Sequence, residues 1–60
     1  MDKIIFYRIF YPTPNGSYAN RSPFKSMERA IQWGRNHLLI RPFQVIKDED
    51  NEQTIVHIEE

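Results

Sequence analysis

The chain has no cysteine. Neither a disulfide nor a thiolate metal site can support it. Small secreted domains more often carry disulfides, but redox compartment is not read from an absence, and a cytoplasmic protein is the default expectation. No run of 18 apolar residues is present, which excludes a transmembrane helix. The first residues lead from Asp2-Lys3 into strand-like sequence with no small-residue cleavage site, so no secretory signal is expected. An excess of charge of one sign is also missing, since eight Lys and Arg balance eight Asp and Glu. General nucleic-acid binders are usually strongly basic. Sixty residues make one domain at most. A chain this short buries only about 60% of its unfolded surface and has a thin stability margin.

Residues 3 to 11, Lys-Ile-Ile-Phe-Tyr-Arg-Ile-Phe-Tyr, are the organising stretch. Seven of the nine are apolar or aromatic, the types that suit a pleated surface. Alternation puts Ile5, Tyr7, Ile9 and Tyr11 on one face and Ile4, Phe6, Arg8 and Phe10 on the other. Both faces are apolar apart from Arg8, the pattern of a central strand. Pro12-Thr13-Pro14-Asn15-Gly16 is a turn signal, because Pro presets φ and Asn-Gly tolerates positive φ. A short polar edge strand is expected at residues 17 to 21, with Ser22 to Lys25 leaving the sheet.

Ser26 is a suitable N-cap, and Glu28 in the first turn suits the macrodipole. Met27, Ala30, Ile31, Gly34 and Leu38 share one helical face. Gly34 in that stripe costs roughly 1 kcal/mol of propensity against Ala, which points to close packing on a sheet. Pro42 disfavours helical geometry at Arg41, so the helix should stop near Leu39. Phe43 to Lys47 reads as a third strand, residues 48 to 52 as a polar turn, and Gln53 to Ile58 as a fourth strand. Strict alternation there places Thr54, Val56 and Ile58 opposite Ile55 and His57.

This order predicts an α+β fold, ββαββ. A four-stranded antiparallel sheet in the order 2-1-3-4 has one helix on one face. The other face stays open. Phe6, Arg8 and Phe10 lie on it if the charge-free face of the first strand packs under the helix. Large apolar patches on small proteins generally serve binding, and Tyr, Phe, Trp and Arg are favoured anchors. Phe6, Arg8, Phe10, Tyr18 and Trp33 are therefore the candidate partner-binding residues, with long side chains such as Arg8 and Lys47 able to cover part of the face. A protein partner is expected, bound on this face or at a strand edge, and a homodimer is one form of it.

The alternative is a weak single-stranded nucleic-acid binder, with bases stacking on the aromatic side chains. It would use Arg8, Arg21, Lys25, Arg29 and Arg35. The common glycine-containing aromatic motif of RNA-binding sheets is absent.

Residues 1 to 47 sum to +6 and residues 48 to 60 to −6. These could pair within one chain or between two. Trp33 has Arg29 and His37 four residues away on either side, which would allow a cation–π pair with Arg29. His37 and His57 have no cluster of further ligands around them. Asp48, Asp50 and Glu52 resemble the start of a calcium loop, but Gln53 stands where the glycine is required. Serines 17, 22 and 26 have no base placed beside them. No enzyme, metal or cofactor is expected.

Overall fold

The computed structural model describes residues 4 to 60. The proposed first strand residue, Lys3, and the charge of Asp2 lie outside them. Four strands and one helix follow in the order β1 (Ile5–Pro12), β2 (Tyr18–Phe24), α1 (Met27–His37), β3 (Phe43–Glu49) and β4 (Glu52–Glu59). The sheet order is β2-β1-β3-β4 and every pairing is antiparallel. This is the expected ββαββ arrangement with an apolar central strand.

The turn after β1 closes as its residues require. Gly16 takes φ of 87° and Gly16 N–H donates to the Thr13 carbonyl at 3.1 Å. β2 is longer than its polar composition implies. One extra residue between Arg21 and Phe24 forms a bulge opposite Tyr7 and Ile9, and Phe24 returns to pair with Tyr7. Pro23 sits in that bulge, on an edge strand, where a missing N–H is tolerated. The expectation that residues 22 to 25 leave the sheet is thereby corrected. Phe24 stays because its ring packs against Trp33 at 6.0 Å.

Ser26 caps α1, its hydroxyl accepting from Arg29 N–H at 3.2 Å. The helix ends at His37, slightly earlier than Leu39. Leu38 is already extended, and its N–H donates to the Gly34 carbonyl at 2.9 Å.

α1 lies over β1, β3 and β2. Ile9, Ala30, Phe43 and Val45 are fully buried between helix and sheet, with Tyr7, Tyr11, Phe24, Ile31, Trp33 and Leu38 packed around them. The covered face of β1 is thus the charge-free one. Gly34 is what lets the helix come down. A Cβ built on it would lie 2.7 Å from both Ile9 Cδ1 and Phe43 Cζ.

β3 runs two residues past its expected end, through Asp48 and Glu49, and the turn tightens to Asp50-Asn51 with φ of 48° and 70°. Asn and Asp tolerate this region better than other non-glycine residues, which makes the pair a two-residue hairpin turn. A calcium-loop path is not followed. Register moves by one residue between Val45 and Ile46, so Val56 is an extra residue in β4. The strict alternation expected there fails. Ile46 pairs with Ile55 and Gln44 with Ile58, so Ile55 and Ile58 share the open face. Thr54, His57 and Glu59 share the helix side.

Candidate open-face interaction surface

The sheet brings four of the five candidate partner-binding residues onto the open face. Arg8 opposes Ile46, Phe6 opposes Asp48 and Phe10 opposes Gln44. Tyr18 lies beside Phe10, the rings parallel within 5° and 5.1 Å between centroids. Trp33 is on the opposite side, packed between Tyr11 and Phe24 with His37 at 5.2 Å. It closes the core and is separate from the candidate face. Its cation partner is Arg21, 5.1 Å above the ring, and not Arg29. The edge strand swings Arg21 over the helix, which a reading confined to helical spacing could not show.

Ile55 and Ile58 join the face through the β4 bulge. Exposure is high at Ile4 (73%), Tyr18 (65%), Ile58 (53%) and Ile55 (52%). Aromatic groups occupy the β2–β1 half and aliphatic ones the β3–β4 half. Lys47 covers none of it. It pairs with Tyr7 on the helix side and reaches Glu49 at 3.3 Å.

Between the two halves lies the Arg8–Asp48 pair. Arg8 Nε donates to Asp48 Oδ2 at 2.9 Å and Arg8 Nη2 to Oδ1 at 2.7 Å. This two-point geometry is the strong form of the interaction. Asp48 is buried at 7% exposure. The Arg8 hydrogen bonds hold its carboxyl below the usual carboxylate range, and Gln53 adds to the effect; burial opposes both. The guanidinium is raised in turn by Asp48. Two charges therefore neutralise each other on a surface of mostly apolar groups. Residue types alone carry a signal for this pair. If β3 is continued through Asp48, alternation puts an acid on the face of Arg8.

The basic residues named for the nucleic-acid alternative are divided between ion-paired, ring-stacked and exposed positions. Arg35 donates from Nε and Nη2 to Glu59 at 2.6 and 3.0 Å, tying the helix to β4. His57 Nε2 lies 2.9 Å from the same carboxylate. Hydrogen bonds from Arg35 first and His57 second bring Glu59 from the ordinary 4.5 to about 2. Arg41 lies 5.0 Å over the Phe43 ring and donates to the Leu38 carbonyl. Lys25 and Arg29 are exposed near the helix start. Acidic residues from the C-terminal region thus pair with basic ones inside a single chain.

Both depressed carboxyls favour the folded state above their unfolded values. That contribution is lost as pH falls through the folded values, for Glu59 between 4.5 and about 2. Urea midpoints measured across this window should fall, and Glu59→Gln should fall less. A midpoint constant down to the lower limit would contradict these pairs. Arg8→Ala should cost about 1–2 kcal/mol, since it leaves Asp48 unpaired on a face that water still reaches. Arg8→Met with Asp48→Leu should recover most of the loss. An equal loss in single and double variants would show that the ion pair is not the cause.

Compared with known proteins, the chain matches no family model, no curated protein and no solved structure. No helix among the described residues is long and apolar enough to cross a membrane.

Proposed function

We propose that the chain is a non-catalytic interaction module of the cytoplasm that binds a protein partner through its open sheet face. The supporting observation is the concentration of exposed Tyr18, Ile55 and Ile58 around Phe6, Phe10 and a self-neutralised ion pair. A surface of this kind can be covered without leaving an unpaired charge. The sheet edges fit a partner less well. β2 carries Pro23 and a bulge, and β4 carries a bulge at Val56 with acids at both ends. Bulges and charges are devices that keep edges from pairing.

The nucleic-acid reading has less support. Arg8 is held by Asp48, Arg35 by Glu59, and Arg21 lies on Trp33. Single-stranded oligonucleotide at low salt is therefore expected not to bind. Binding that weakens steeply with salt and with Arg8→Ala would reverse the preference.

The direct test is a photo-crosslinking amino acid placed at Ile55, or at Gln32 on the exposed side of α1, in cells that make the protein. A discrete product from position 55 and none from position 32 is the expected result. Equal products from both sites, or none from either, would overturn the interaction-face reading.

A further inference from the structure

The open face also specifies what could cover it. Resting on the interaction-face reading, we propose that the occupant is a second copy of this chain, packed sheet against sheet about a two-fold axis parallel to the strands. Such an axis places the β2–β1 half of one copy over the β3–β4 half of the other. The aromatic Phe10–Tyr18 stack then stands over the end of the β3–β4 half that carries Gln44 and Ile58, with Ile46 and Ile55 one pleat further along.

Three observations favour a copy over an unrelated partner. The face is electrically neutral by its own pairing, so it asks for no complementary charge. Arg8 and Asp48 lie on the two central strands, near the axis, so two neutral pairs meet there. The two apolar halves differ in kind and are complementary under this symmetry, as an isologous interface requires.

The area agrees. Strands of up to eight residues, four abreast, give a face of roughly 500 Å² at ordinary strand spacings. Two such faces bury about 1,000 Å², the lower bound for a specific interface. Aligned sheets pack about 10 Å apart with strands within about 30° of each other, which leaves Tyr18 of one copy facing Ile58 of the other across that gap. Tyr18 pairs with Pro12, one pleat beyond the row of Phe10, Gln44 and Ile58.

This neighbour relation gives a sharp test, because the chain has no cysteine of its own. Tyr18 and Ile58 stand on opposite edge strands of one sheet, roughly 14 Å apart by strand spacing. That separation exceeds the reach of a bifunctional thiol reagent about 10 Å long, the spacing of packed sheets. The full chain carrying Tyr18→Cys and Ile58→Cys should therefore be linked into a covalent dimer by such a reagent, while a Gln32→Cys control should not. Sedimentation velocity of the unaltered chain should show a mass of two chains at high concentration and one at low. Ile58→Glu should raise the dimer dissociation constant at least about tenfold by burying a charge, and Gln32→Glu should leave it unchanged. Circular dichroism of each variant separates loss of dimer from loss of fold.

A monomeric unaltered chain at every concentration would overturn the proposal. So would a dimer that neither crosslinks through positions 18 and 58 nor weakens with Ile58→Glu. A monomer whose position 55 still crosslinks to another protein in cells would remove the dimer and leave the interaction module standing. No product in either experiment would remove both.

Discussion

Phe43→Ala is expected to leave the chain largely unfolded at physiological temperature. Phe43 is fully buried at the start of β3, under α1 and beside Ile9 and Val45. Removing a buried Phe side chain costs about 3–5 kcal/mol, a transfer term plus a cavity term. Typical folded domains have only about 5–15 kcal/mol in total, and one of this size lies towards the low end. Here the cavity would open beneath Gly34, where there is no side chain to collapse into it. The Arg41 guanidinium over the ring would lose its partner as well. Chemical denaturation followed by Trp33 fluorescence is the measurement. A loss under about 1 kcal/mol would show that Phe43 is not the centre of the core.

The second large effect concerns the opposite change at the same contact. Gly34→Val is expected to destabilise by about 3 kcal/mol through overpacking. Gly34→Ala should also lose stability, although in an open helix it would gain about 1 kcal/mol. The first added carbon would already lie 2.7 Å from Ile9 Cδ1 and Phe43 Cζ. Both neighbours have 0% exposure, and an aromatic ring cannot bend away. The helix itself must lift off the sheet, and Ala30 and Trp33 lift with it. Thermal unfolding of both variants would decide the matter. In a domain of this size 1 kcal/mol corresponds to about 4–8 °C in Tm. A higher Tm for Gly34→Ala would mean that helix propensity outweighs the close approach at this site.

Much of this architecture is legible in the residues. Ser26 marks the helix start, the Met27–Ala30–Ile31–Gly34 spacing marks its inner face, and the doubly apolar first strand implies a central position. These signals are local, and the structure agrees with them except at Met27, which is exposed at the start of α1. The candidate face is only partly legible. Phe6, Arg8, Phe10 and Tyr18 can be placed together by alternation once the sheet order is known. Ile55 and Ile58 cannot, because a bulge at Val56 flips the parity between them. No residue type announces that bulge. Asp48 was hidden differently. Within Asp-Glu-Asp-Asn-Glu it reads as turn, yet in the sheet it pairs with Phe6 and Gln53 and bonds Arg8, forty residues earlier in the chain.

Sequence by itself determined the element order, the helix cap, the glycine notch and the central place of β1, because each depends on neighbours within a turn or a strand. Tertiary structure alone decided which face of β1 is covered. Both faces of that strand are apolar, so its own pattern is degenerate. The degeneracy is broken by β3, where Phe43 and Val45 point with Ile9 toward the Gly34 notch while Asp48 joins Arg8 on the other side. Tertiary structure also set Trp33 against the core between Tyr11 and Phe24 and turned the two oppositely charged regions toward each other within one chain. Burial and ion pairing act between groups distant in the chain, and only folding brings those groups together.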